Sequence, residues 1–195
     1  MQTRSDVELL RAHLDGDQQA FEQIIRRHGP VLLGYINKMV HDQQLAQDLF
    51  QETFKRVHQY GKSFKGDGKF KSWLFSIASN VVIDTMRKQK RQPSAVSLHV
   101  SDPDSSGSFM AINDDKAIAP DSQAVLTERK SQVRLALAQL TAQQKAAVVM
   151  SYYQGMTYRE IAQVLDCSLG TVKTHMYRGL KTLARLLPDQ KGGLE

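Results

Sequence analysis

Apolar residues recur every three or four positions through most of the chain and nowhere alternate over the length of a strand, a pattern that predicts an all-α protein. Ser5-Asp-Val-Glu8 has the form of a capping box, and Leu9, Leu10 and Leu14 carry an apolar stripe that stops at Gly16. Asp17 restarts a helix whose inner face is Phe21, Ile24, Ile25, Leu32, Leu33, Ile36 and Val40, with Gly29-Pro30 expected to break or kink it midway. A third helix runs from Asp42 to Tyr60. It buries Leu45 or Ala46, then Leu49, Phe50, Phe54 and Val57, and Gly61 is expected to end it. Residues 62–69, KSFKGDGK, form a loop with Phe64 set inside it. A fourth helix, from about Phe70 to Arg91, turns Trp73, Leu74, Ile77, Ala78, Val81 and Thr85 inward; Trp73 shares the Ile77 stripe and is expected in the core.

The period fails between residues 93 and 122, where Ser, Asp and Pro dominate. That stretch is expected to be a flexible acidic linker between two small helical domains, residues 1–92 and 123–188, followed by a tail at 189–195. Helical spacing resumes near Gln123 with Ala124, Val133, Leu135, Leu137 and Leu140, then runs from Ala146 to Tyr153. Next comes a helix-turn-helix pattern: Thr157 as N-cap, Ile161, Ala162, Val164 and Leu165 as one apolar face, Leu165 to Ser168 as the turn, and Ser168 as the second N-cap. In the second helix Val172, Met176, Leu180 and Leu183 are expected inward. Lys173, Thr174, Tyr177, Arg178 and Lys181 then share the outer face and offer charge to phosphates and hydrogen-bonding groups to base edges. An ordinary solvated helix can also carry charge outside, but it mixes signs, and no carboxylate occurs from Cys167 to Pro188.

Charge sharpens this picture. The chain of 195 residues has a net charge of +6, divided as +5 over residues 1–92, −3 over 93–130 and +4 over 131–195. Two basic blocks flanking an acidic stretch suit a protein that meets a polyanion at two places. No apolar run approaches transmembrane length and the start is polar, so a cytoplasmic protein is expected. Cys167 is the single cysteine, which rules out an intrachain disulfide; it reads as a turn filler with no chemistry. Arg87, Lys88, Lys90 and Arg91 suit a helix C-terminus whatever else they do.

In this order the segments resemble the sigma factors of bacterial RNA polymerase, in the extracytoplasmic-function group of the sigma-70 family. Asp48-Leu-Phe-Gln-Glu-Thr-Phe54 resembles the motif with which that family grips the clamp coiled coil of the polymerase beta-prime subunit. Carried onto this chain, the resemblance implies polymerase contacts by Gln47, where relatives often have Glu, and by Asp48, Gln51, Glu52, Phe54 and Lys55. Phe70-Lys-Ser-Trp-Leu-Phe-Ser-Ile-Ala-Ser-Asn80 resembles the family's helix that, with the loop before it, captures a flipped base of the minus-10 element. Phe64, Lys65, Gly66, Asp67, Lys69, Asn80, Asp84, Arg87 and Lys88 are the residues so implied. Glycines there would let backbone approach the strand, Phe64 would stack or wall the pocket, and Asn80 would meet a base edge. The helix-turn-helix resembles the module that reads the minus-35 duplex, with Ser168, Thr171, Lys173, Thr174, His175, Tyr177, Arg178 and Lys181 as its DNA-facing set; His175 stands where relatives often carry Arg and ranks below Arg178.

The resemblance implies an initiation factor, not an enzyme, with no cofactor. Its partners would be core RNA polymerase, through the beta-prime clamp and the beta subunit, promoter DNA and a cognate anti-sigma factor. A coil of ~30 residues averages about 30 Å and extends to about 100 Å, whereas DNA sites two helical turns apart lie ~70 Å from one another. Free protein is therefore expected to bind promoters weakly until polymerase sets the two halves apart. One alternative is a stand-alone helix-turn-helix regulator, but residues 1–92 lack the alternating strands and acidic pocket of a receiver domain. A second is an enzyme, since His41-Asp42 superficially resembles a phosphohydrolase metal pair and Asp48 and Glu52 lie one turn apart. Asp42 as a helix N-cap and a protein-contacting α-helical surface explain these residues more simply.

Overall fold

The computed structural model describes residues 4–66, 69–91 and 120–187, with backbone alone over 120–127. Every regular element in it is helical: α1 (Asp6–Leu14), α2 (Gln18–Val40), α3 (Gln43–Tyr60), a 3-10 turn (Gly61–Ser63), α4 (Phe70–Arg91), α5 (Pro120–Ala138), α6 (Ala142–Gln154), α7 (Tyr158–Val164) and α8 (Leu169–Leu186). The stretch read as a linker falls almost entirely outside the described residues, as does the tail.

Local chemistry starts most of these helices. The Ser5 hydroxyl accepts from Glu8 N while Glu8 accepts from Ser5 N, closing the capping box. Asp17, Asp42, Thr141, Thr157 and Ser168 each accept a backbone N–H at the start of α2, α3, α6, α7 and α8. Asp42 is thus an N-cap, and His41 before it is the left-handed C-cap of α2 at φ 56°.

Several expected faces shift once packing is seen. α2 runs unbroken through Pro30, and Gly29 is buried against the Phe50 ring, where a Cβ would stand 3.3 Å from Cζ. Tyr35 and Met39 are fully buried where Phe21 and Val40 are only partly so: Tyr35 is covered by Phe75 and Ser79 of α4, and Met39 lies where α6 packs on α2. Gly61 does not end α3 with a left-handed cap. Its φ is −54°, and its small size matters instead, since a Cβ would stand 3.1 Å from Leu14 Cδ2. In α8 the inward position is Gly179 and not Leu180, which is 38% exposed; at Gly179 a Cβ would lie 3.0 Å from Val148 Cγ2, so α6 and α8 approach at backbone distance. Leu135, expected inward, is 62% exposed.

The buried residues of both halves join one continuous cluster, with α6 against α2 and α7 against α4. Tyr35, at the centre of α2, hydrogen-bonds Ser79 of α4 at 2.9 Å, and burial pushes its phenol far up, so it stays neutral. Lys145 of α6 is 2% exposed, and its Nζ donates to the Met39 carbonyl near the end of α2 at 2.6 Å. The carbonyl end of a helix is a suitable seat for an ammonium, yet burial still pushes Lys145 down to about 8.

His41 sits beside this contact. Burial, then the charges of Lys145, Arg134 and Lys38, push its imidazole down to about 4, so the native state holds it neutral. The unfolded chain takes up that proton below ~6.5, the native chain only near 4, and stability therefore falls as pH drops through this window. The gap corresponds to roughly 3 kcal/mol. His41→Asn keeps a residue that tolerates the left-handed cap. Denaturant titrations from pH 6.5 to 4 are expected to show the wild type losing about 2–3 kcal/mol more than the variant; parallel losses would show that His41 contributes no linkage.

Candidate nucleic-acid interface

Three surfaces carry the residues singled out by sequence. The first is the outer face of α3. Ala46, Leu49, Thr53, Phe54 and Val57 point inward, leaving Gln47, Asp48, Gln51 and Lys55 exposed on successive turns. Glu52 is held at 2.8 Å by Arg56 Nε, which keeps its carboxyl below the usual range and charged. Phe54 is not on this surface. It is 5% exposed, its ring 4.9 Å from that of Phe50 and 6.0 Å, edge-on, from that of Phe21, so it anchors the helix that presents the polar residues.

The second surface is a groove of about 840 Å³ beside the start of α4. Ser63, Phe64 and Lys65 form one wall, while Lys69, Ser72, Trp73 and Ser76 form the floor. Phe64, Phe70 and Trp73 make a ring cluster: Phe64 lies 5.0 Å from Trp73 and 5.8 Å, edge-on, from Phe70. Trp73 packs against the core alongside Ile77, as its stripe predicts, yet it is only partly buried and also lines the groove. An apolar ring beside cations and hydroxyls is the environment that binds an unstacked base. Gly66 adopts φ +75°, a left-handed conformation that favours glycine, with Arg11 Nη2 and Val7 as its nearest neighbours. Asp67 lies outside the described residues.

Beyond the groove, Asn80, Asp84 and Lys88 follow Ser72 and Ser76 at four-residue spacing in a stripe that winds about 40° round α4 at each step, from the buried Ser72 to Asn80, Asp84 and Lys88, which are exposed, as is Arg87. From Ser72 to Lys88 the stripe is ~24 Å long. The groove holds the first part and the open helix face the second, so Asn80 lies one turn beyond the groove floor. Arg87 approaches Asp84 at 3.8 Å, an exposed pair that leaves the guanidinium available to phosphate.

The third surface is α8. Val172, Met176 and Gly179 face α6 and α7, while Lys173, Thr174, Tyr177, Arg178 and Lys181 are exposed, with Tyr177 at 67%. Ser168 Oγ accepts from Thr171 N at 3.0 Å and pairs with Thr171 Oγ1 at 2.9 Å, so these two hydroxyls build the cap. The Thr174 hydroxyl donates to Gly170 O at 3.0 Å. His175 is half-buried, and burial together with Arg178 lowers its pKa, which leaves a neutral imidazole and makes Arg178 the stronger anion contact. Cys167 is partly buried, with its thiol pushed up by burial and by Asp166, and takes no part.

The sequence reading missed Trp73, Ser72 and Ser76 as groove residues, and it missed the opposite wall: Thr157, Arg159, Glu160 and Gln163 of the α7 segment. The capping-box spacing of Thr157 and Glu160 was a legible signal for the fold of α7, though not for its position. Among the described residues no group of three His, Cys, Asp or Glu is placed to hold a metal ion, and no described helix is long and apolar enough to cross a membrane.

Both halves have family counterparts. The Sigma-70 region 2 family matches residues 24–92 and the Sigma-70, region 4 family matches residues 130–183. The ECF RNA polymerase sigma factor SigM of Mycobacterium tuberculosis is 33% identical over 184 residues, covering 94% of this chain and 85% of that relative. The RNA polymerase sigma-H factor of Pseudomonas aeruginosa is 28% identical, with 93% of each chain covered. Among solved structures, RpoE of Bartonella quintana, crystallised with the anti-sigma factor NepR, superposes with a TM-score of 0.62 at 26% identity over 88% of this chain and 98% of its own. The chain therefore belongs to the extracytoplasmic-function group of the sigma-70 family of RNA polymerase sigma factors. It is a transcription initiation factor and not an enzyme.

Proposed function

We propose that this sigma factor divides promoter recognition between its halves, acts in the cytoplasm and is held inactive by an anti-sigma protein. Residues 1–92 bind polymerase and open the minus-10 element; residues 123–188 read the minus-35 duplex; the acidic stretch between them is the tether. The exposed row Gln47, Asp48, Gln51 and Lys55, with Glu52 beside it, docks on the beta-prime clamp, and Phe54 supports that row from beneath.

The observation that carries this reading is the groove in which Phe64 and Trp73 stand beside Lys65 and Lys69, with Asn80, Asp84 and Lys88 exposed beyond it on α4. A base that leaves the duplex stacks on the rings, the cations take its phosphates, and the stripe leads the strand along α4. No nucleotide hydrolysis by this chain is needed. Unstacking a base costs a few kcal/mol, and a stacking platform worth ~1–3 kcal/mol plus phosphate contacts offsets it. Meanwhile Lys173, Tyr177, Arg178 and Lys181 enter the major groove upstream. With α6 on α2 and α7 on α4, the two readers of the free chain are packed together; docking on polymerase draws them apart to promoter spacing.

Anti-sigma control rests on kinship: the Bartonella relative was crystallised with its anti-sigma factor. The strand's path beyond the groove is tested by Asn80→Ala. Open-complex formation, followed by permanganate reactivity on a native promoter, is expected to fall by up to about tenfold, the loss of one hydrogen bond, while polymerase binding is unchanged. Unchanged opening would remove Asn80 from the strand's path.

A further inference from the structure

We infer that α7 lends the groove a built-in competitor for DNA: Glu160 occupies Lys69 in the free chain and competes for it with the phosphates of a single strand. This rests on the minus-10 reading of the groove and names the regulation of that site.

Glu160 Oε1 receives the Lys69 ammonium at 2.7 Å across 91 positions of sequence. Its other oxygen, Oε2, accepts from Thr157 N at 2.9 Å and Thr157 Oγ1 at 2.8 Å. The carboxylate is thus aimed by the capping box of its own helix and does not depend on the lysine for its place. The Lys69 contact, followed by the Thr157 hydrogen bonds, pushes Glu160 down to about 2, so it is charged at any pH where transcription proceeds. Contacts that avoid the groove seat α6, the helix before α7, on α2 and α4: Lys71 Nζ donates to Gln154 O at 3.3 Å, Lys145 to Met39 O, and Lys38 Nζ stands 4.6 Å from the Tyr153 ring centroid, while α7 itself packs on α4.

The ion pair adds little stability, because Lys69 is 72% exposed and such pairs contribute little in water. Its consequence is competitive. The carboxylate neutralises one of the two groove lysines at the rim and places a negative charge where a phosphate would approach, so the free chain neutralises one phosphate fewer. Each phosphate neutralised on a single strand adds about −0.7 to the slope of log K against log salt. One recovered contact is therefore equivalent to about an 8-fold gain near 50 mM salt, relative to 1 M.

Glu160→Gln separates the roles, because Gln also closes a capping box at this position. The probe is a fluorescein-labelled single-stranded DNA of mixed sequence, titrated with full-length protein by anisotropy between about 50 and 200 mM salt. Glu160→Gln is expected to bind about 8-fold tighter at the low-salt end, with a slope steeper by about 0.7. Adding Lys69→Gln to that variant is expected to erase the gain, and an unchanged thermal melt checks that α7 still folds. Wild-type affinity in Glu160→Gln, or a gain that survives in the double variant, would overturn the latch. Those results would leave polymerase binding and promoter-dependent transcription by the wild type intact, whereas failure of the wild type in those two assays would overturn the sigma reading itself.

Discussion

Asp48→Arg is expected to cost about 2–5 kcal/mol in affinity for core RNA polymerase, a loss of roughly 30-fold to several thousand-fold, with no change in the protein's own stability. The stability part follows from position. Asp48 is exposed on α3 with only a long 3.5 Å contact from Gln44, so replacing it disturbs no buried partner. The affinity part follows from charge at a docked surface, where a reversal both removes an attraction and leaves a like charge facing the partner. Gln51→Ala on the same face should cost less, since no ion is left unpaired. Titration of labelled protein with core enzyme measures both, and an Asp48→Arg protein that binds normally would move the polymerase contact off α3.

Arg178→Ala is expected to lose about 1–3 kcal/mol of holoenzyme affinity for promoter DNA and to relax preference at a single upstream position. Arg178 is exposed on the outer face of α8, and beside it His175 is held neutral, so the fork of Arg178 is the cationic group there best suited to a bidentate base contact. Scanning each base of the upstream element against both proteins separates base reading from charge. A penalty equal for all sequences, with the salt slope reduced by about one, would assign Arg178 to a phosphate.

Much of the fold was legible because its signals are local. Ser5, Asp17, Asp42, Thr157 and Ser168 cap the helices they announce, since a side-chain oxygen and an N–H three residues on are brought together by the turn itself. Helix faces were less secure, because periodicity shows that a face is buried without showing how many neighbours bury it. Tyr35 is inside because Phe75 and Ser79 of α4 lie on it, and Met39 because α6 lies on α2, a contact spanning more than a hundred residues of sequence. Gly179 replaces Leu180 inside for a similar reason: α6 comes too close for a side chain.

The site divides the same way. The polar row on α3, the glycine at Gly66 and the basic face of α8 could be read from sequence, as each belongs to one segment. Trp73 packs on the core as its apolar stripe predicts, but its place in the groove depends on Phe64 folding back beside it, which no local pattern reveals. Lys145 and Glu160 gave no warning of their roles. A lysine on a helix is nearly always solvated, and the partners of both residues lie in the other half of the chain.

The central claim, that this chain directs core polymerase to promoters of its own, meets its most direct test in transcription in vitro. Core RNA polymerase freed of other sigma factors is incubated with a genomic fragment library, with and without the protein. Discrete transcripts are expected that require the protein and share two elements at a fixed separation upstream of their start points. Transcripts indistinguishable from those of core enzyme alone, with no complex formed between the two proteins, would contradict the claim.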